Sequence, residues 1–163
     1  MDRLWATWRM PYIDSLKEEG GGCIFCDKPK EASDEEVFVL RRGLKSFVIL
    51  NTFPYNPGHV MIAPYRHVRC FADLEAEERV EIMDLLGISE AVLEEVFRPN
   101  GMNVGVNLGK AAGAGVPGHI HVHLVPRWQG DANFMPILGE TKVLPQGLRD
   151  TYAALRGAFA RRG

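Results

Sequence analysis

The sequence is poor in cysteine, in long apolar runs and in net charge, and each shortage excludes something. Three cysteines in 163 residues need not form bridges. A chain of this length buries roughly two thirds of its unfolded surface and folds without a disulfide scaffold. The formal net charge of -2 lacks the basic excess of a general nucleic-acid binder. A small anionic ligand stays open, because a local site can be positive inside a mildly acidic protein. The longest apolar runs, such as residues 47–50 and 60–63, are far too short to span a bilayer. The opening Met-Asp-Arg-Leu-Trp has no long apolar stretch followed by a small-residue cleavage site, so it does not read as a signal peptide. The expectation is a cytoplasmic protein with no membrane and no nucleic-acid partner, in which thiols stay reduced and the cysteines are more interesting as ligands.

What is present is ordinary globular composition, 46% hydrophobic and 25% charged, with length for one domain. Residues 1–19 hold Trp5, Trp8, Met10, Tyr12 and Ile13 among charges, with Pro11 against one continuous helix. This segment reads as a Trp-rich arm packing its rings on the body or on a partner subunit. Short apolar runs at 37–40, 47–50 and 59–63 read as strands, the last two joined by the turn Pro54-Tyr55-Asn56-Pro57-Gly58. Between 74 and 97 the period changes: Ile82, Leu85, Leu86, Leu93, Val96 and Phe97 share a helical face, with Glu75, Glu77 and Glu78 near the start. Residues 103–107 and 119–125 are further strand candidates. Leu148, Tyr152, Leu155 and Phe159 mark a C-terminal helix. The order implies an α+β domain on a mainly antiparallel sheet, with one long central helix and a C-terminal helix.

The strongest signal is His119-Ile120-His121-Val122-His123-Leu124-Val125. Alternate residues of a strand face opposite sides, so Ile120, Val122 and Leu124 can enter a core while three imidazoles line the other face. Their backbones would lie roughly 6–7 Å apart, close enough for one ring to attack a group that the next hydrogen-bonds. Three same-face histidines are a poor way to stabilise a sheet, since each brings polar nitrogens that need partners. Near neutral pH histidine serves as nucleophile, acid or base. Metal chelation by His-x-His is the rival, but no carboxylate adjoins the run and the next acid is Asp131. An anion has more support from the preceding Gly109-Lys110-Ala111-Ala112-Gly113-Ala114-Gly115, whose backbone N–H groups could face phosphate oxygens. That loop alone lacks a phosphate-binding fingerprint, and a flexible connector would look the same.

A second pattern is Cys23-Ile24-Phe25-Cys26 after three glycines. A tight turn there aims two thiolates at one ion, although the same spacing also fits a redox pair or two small buried residues.

The alternation of the three histidines resembles the signature of the histidine-triad (HIT) superfamily. Asn51 followed by Pro57-Gly58-His59 resembles that family's second hallmark. Asn107 with the glycine loop, Pro126-Arg127-Trp128-Gln129-Gly130-Asp131-Ala132-Asn133-Phe134, and the opening Leu4-Trp5-Ala6-Thr7-Trp8-Arg9-Met10 resemble its bacterial branch related to diadenosine tetraphosphate phosphorylase. The resemblance covers essentially the whole chain, as a single HIT domain over 1–163. It implies that His121 attacks the α-phosphorus of a nucleotide and forms a nucleotidyl-histidine, splitting one hard displacement into two easier ones. His123 would hydrogen-bond the phosphate or leaving group. Asn51 would contact ribose, Ile49 and Met61 would wall the base, Asn107 would contact the phosphate or ribose region, and His59 would line the pocket or hold the turn. Gly113 and Gly115 complete the expected substrate-binding set.

The resemblance also implies a structural zinc held by Cys23, Cys26, His67 and His119, because zinc-bearing relatives use the histidine after the Pro-Gly-His strand and the first of the triad. His119, counted with His121 and His123 in the catalytic triad, would then not be a free acid or base. Cys70 is a possible substitute ligand. The implied substrate is a dinucleoside polyphosphate, cleaved by phosphorolysis or hydrolysis, in a homodimer. A nucleoside phosphoramidate substrate and a non-catalytic nucleotide-binding protein are the alternatives, and intact His121 and His123 count against the latter.

Overall fold

Five antiparallel strands in the order β1-β2-β3-β5-β4 form the sheet of the computed structural model, which describes residues 22–131 and 146–162. In chain order the elements are a one-turn helix α1 (Ile24–Asp27), α2 (Asp34–Val37), β1 (Val39–Arg42), β2 (Ser46–Leu50), β3 (Val60–Pro64), the long α3 (Ala76–Phe97), β4 (Gly101–Gly105), β5 (Val122–Arg127) and α4 (Leu148–Ala160). This is the α+β architecture expected. The Trp-rich arm, and Ala132, Asn133 and Phe134, lie outside the described residues.

One face of the sheet carries Leu40, Val48, Leu50, Ile62, Val122 and Leu124 against Ile82, Leu85, Val92 and Leu93 of α3 and Leu155 and Phe159 of α4. Alternation puts the odd-numbered partners of these residues on the opposite face, where Phe25, Phe47, Ile49, Met61 and Ala63 form a smaller cluster. Helix α3 starts with a capping box in which Glu75 and Glu78 exchange side-chain and backbone hydrogen bonds. Arg66 donates twice to Glu78, at 2.7 Å each, and once to the Asp73 carbonyl, which ties the segment after β3 to the helix start. The turn before β3 needs Gly58: its φ is 75°, and a Cβ there would sit 2.8 Å from the Phe97 ring.

Three strands start more than one residue away from the sequence reading. Val37, read as the start of a strand, ends α2, because Ser33 accepts the Glu36 N–H as N-cap and Phe38 then turns left-handed at φ 62°. The strand expected at 103–107 runs instead from Gly101, whose register opposite Arg127 is set directly after α3. The strand expected from His119 begins at Val122. Pro64 has no N–H to extend the β3–β5 ladder past Ile62↔Val122, and the Ile120 N–H bonds to the Val68 carbonyl at 2.7 Å instead. The side-chain alternation survives this loss of pairing: Ile120 remains in the core under the helices, and His119 and His121 face the other side, against Phe25.

Candidate active site and metal centre

Register builds the first part of the site. Ile49 pairs with Met61, Met61 with His123, and His123 with Gly105, so these residues form one row across β2, β3, β5 and β4. His121 sits just before the ladder on the same face, its ring 4.7 Å from that of His123 and inclined at 72°.

The hydrogen bonds assign the protons. His121 Nδ1–H donates to the His119 carbonyl at 2.8 Å, which leaves the lone pair on Nε2. Burial lowers the His121 pKa, and the bond to the His119 carbonyl opposes it only in part, so the ring is neutral and nucleophilic near pH 7. On the other side, the Tyr55 N–H donates to His59 Nδ1 at 3.1 Å, and the Asn51 amide approaches the same nitrogen at 3.3 Å. His59 must therefore carry its proton on Nε2, from which it donates to His123 Nδ1 at 2.9 Å. A neutral His123 then carries its own proton on Nε2. Adjacent imidazoles thus present opposite faces of the same chemistry, a lone pair on His121 and an N–H on His123.

His59 is fully buried and occupied by these bonds, which makes it the support of His123. Asn51 is also nearly buried; its Oδ1 accepts the Phe53 N–H at 2.9 Å, so it shapes the turn as well as facing the row. Asn107 lies two residues beyond β4 and is half-buried. In the glycine loop, the amides of Ala112, Gly113 and Ala114 bond to the Gly109 and Lys110 carbonyls. Gly113 is accordingly a left-handed turn position at φ 87°, its own N–H engaged inside the loop, whereas Gly115 has no left-handed φ.

The second part of the site meets the first at His119. Cys23 Sγ lies 3.3 Å from His119 Nδ1, Cys26 Sγ lies 3.3 Å from His67 Nδ1 and 3.5 Å from His119 Nδ1, and all four ligand atoms fall within 4.8 Å of one another. Tetrahedral zinc with its usual bond lengths gives sulfur–nitrogen edges of about 3.5 Å, so the spacing fits a closed four-ligand ion. The protonation pattern fits too. His119 Nε2–H donates to the Pro64 carbonyl at 2.9 Å, which turns the Nδ1 lone pair toward the sulfurs. Burial lowers the His119 pKa to about 4, keeping the ring neutral as a ligand must be. Burial and then Cys23 push the Cys26 thiol up to about 11, so a thiolate pair here calls for a cation. The His119 nitrogens thus face the Pro64 carbonyl and the thiols, and its carbonyl accepts the His121 Nδ1–H. Cys70 bonds to Asp73 and is not among the four.

Three contributors escaped the sequence reading. Phe25 packs on His121 with centroids 4.6 Å apart. Asn56 donates to the Pro126 carbonyl at 3.0 Å and to Asp131 at 2.7 Å, pinning the turn before His59 to the end of β5. Arg127 holds Asp131 through two further bonds of 2.6 and 2.7 Å. The Phe25 and Asn56 contacts join distant segments, which no local spacing announces, and the Arg127–Asp131 pair, four residues apart, gains its place in the site only through Asn56.

Residues 33–130 match the family model of the HIT domain. The chain is 44% identical to the AP-4-A phosphorylase of Mycobacterium tuberculosis over 99% of its own length and 86% of that protein. It is 36% identical to the asymmetrical bis(5'-nucleosyl)-tetraphosphatase of Schizosaccharomyces pombe, over 57% of this chain and 50% of that one. Its fold superposes on a zinc-bound histidine triad family protein from Mycobacterium smegmatis with a TM-score of 0.69 at 24% identity, covering 86% of this chain and 95% of the other. With the triad, its supporting histidine and the matched domain in agreement, the chain belongs to the HIT family.

Proposed function

We propose that the protein cleaves dinucleoside polyphosphates through a nucleotidyl-histidine intermediate, acting as a diadenosine tetraphosphate phosphorylase. The observation that carries the reading is the lone pair of His121 Nε2 beside the Nε2–H of His123. His121 attacks the α-phosphorus, a phosphorus–nitrogen bond forms, and the bond to the bridging oxygen breaks, releasing ATP. His123 donates a hydrogen bond to the oxygen on which charge develops. Inorganic phosphate then displaces the adenylyl group from His121 and yields ADP. Ile49 and Met61, in the same row as His123, suit an apolar base wall, with Asn51 toward ribose, and Asn107 and Gly115 toward phosphate. Phosphate as acceptor, rather than water, is supported by the near full-length similarity to a phosphorylase.

Cys23, Cys26, His67 and His119 would hold zinc as a structural ion, closed to substrate by its four protein ligands. The whole chain is read as one domain. A homodimer is favoured by the edge position of β4, whose Val104, like Leu108 beyond it, is exposed. Reduced cysteines suit the cytoplasm, and no described helix is long and apolar enough to cross a membrane.

The test is incubation with diadenosine tetraphosphate with and without inorganic phosphate. ADP plus ATP that appears only with phosphate is the expected result. AMP plus ATP in both would make the protein a hydrolase, and no turnover would remove the substrate assignment. Elemental analysis of the purified protein decides zinc.

A further inference from the structure

Phe25 lies between the two cysteines, yet its ring points away from them onto the reactive histidine. It is 1% exposed, 4.6 Å from the His121 centroid at an interplanar angle of 30°, and 5.3 Å from that of His119. A ring so enclosed has no face left for a ligand. The turn that carries it is a single helical turn, α1, closed by hydrogen bonds from the Cys26 and Asp27 amides to the Cys23 carbonyl. One such turn is not stable by itself. What fixes it to the body is the approach of its two thiols to His67 and His119, together with the burial of Phe25 among Val39, Phe47, Ile49, Met61 and Ala63.

His121 is held by three groups: the His119 carbonyl on Nδ1, the Phe25 ring against its face and the His123 ring across its edge. The first two belong to a ligand residue of the metal centre and to the residue between its cysteines. The hydrogen bond fixes one edge of the imidazole, and Phe25 limits rotation about that edge. The direction of the Nε2 lone pair therefore depends on whether the knuckle is closed.

We propose that Phe25 is a positioning residue for His121, through which the metal centre sets the orientation of the nucleophile without touching substrate. The rate consequence rests on the proposed function; the orientation does not. In-line attack is sensitive to displacements of about 1 Å, so loosening the ring should slow formation of the nucleotidyl-enzyme rather than weaken substrate binding.

The experiment uses the full chain loaded with zinc, unmodified and as Phe25→Ala and Phe25→Leu. Zinc content, single-turnover labelling of His121, KM, and the side-chain 15N–1H spectrum of His121 at one neutral pH are measured. Phe25→Ala should retain zinc, lose about 10- to 100-fold in the labelling rate with KM nearly unchanged, and broaden the His121 Nδ1–H signal. Phe25→Leu should recover part of the loss. Chelation of the unmodified protein should give the same broadening, and chelation of Phe25→Ala should add little to its loss. An unchanged labelling rate, or a raised KM with an unchanged rate, in zinc-loaded Phe25→Ala would overturn the proposal; the second result would make the ring a pocket wall. If Phe25→Ala fails to fold, the chelated unmodified protein decides, and an unchanged His121 spectrum there overturns it. Absence of turnover by the unmodified protein would strike the substrate reading alone, since the spectrum reads the coupling independently.

Discussion

The two ends of the triad have the same residue, the same spacing from His121 and the same face, but opposite hydrogen-bonding arrangements. His119 precedes the ladder, donates through Nε2 to the Pro64 carbonyl and turns Nδ1 to two thiols. His123 lies inside β5, accepts a hydrogen bond from His59 Nε2–H on Nδ1 and keeps its own N–H on Nε2. Both are turned by the group on the opposite nitrogen: a carbonyl at one end, a histidine that itself accepts a backbone amide at the other. The lesson is that an imidazole's role is set by what engages its second nitrogen. His119 lends His121 only a backbone oxygen, and a residue of any type has that.

The largest effect should come from removing the residue between these ends. His121→Asn should lower kcat by about 10⁴-fold or more and abolish nucleotidyl-enzyme in an intact-mass measurement, as expected when the nucleophile itself is lost. His123→Asn should cost about 10²- to 10³-fold in kcat, because one charge-stabilising donor is removed. His59→Ala, which leaves His123 in place but takes away its partner, should show a smaller loss of the same kind; a loss confined to KM would mean that His59 serves the substrate rather than His123. At the other end, Cys26→Ser should lower zinc affinity sharply in a competition with a coloured chelator while His123 still donates. If it abolished activity as completely as His121→Asn, the division of duties between the two ends would be wrong.

The smallest effect concerns the clamps that hold each end. Arg66 beside Glu78, and Arg127 beside Asp131, lower the pKa of both carboxyls below the ordinary range. A folded pKa below the unfolded one contributes stability that is present above the unfolded value and is lost as pH falls through the folded one. Asp131→Asn should therefore lower Tm at pH 7, where the pairing contributes in full, and flatten the further fall of Tm below about pH 4. An unaltered acid limb would show that the Arg127 pairing contributes nothing to it.

Much of this was legible in the chain. The period-3.6 stretch before Phe97 gave α3, and the alternation around His121 placed Ile120, Val122 and Leu124 in the core although the ladder begins only at Val122. Cys23, Cys26, His67 and His119 were available through resemblance as candidate metal ligands, and the fold brings their ligand atoms within 4.8 Å of one another. Val37 was misread because an apolar residue ending a capped helical turn looks locally like one beginning a strand. The His59–His123 bond could not be read, since it joins residues 64 positions apart across a strand pairing whose register is a tertiary fact.

Residue order by itself determined which groups share a face and which chemistry they can perform, because side-chain alternation and pKa class are local properties. Only the tertiary structure decided which nitrogen of His119 and of His123 is engaged, and that Phe25 lies on His121. Both depend on where other segments of the chain place a carbonyl, an amide or a ring within hydrogen-bond or packing distance, and no local pattern encodes that.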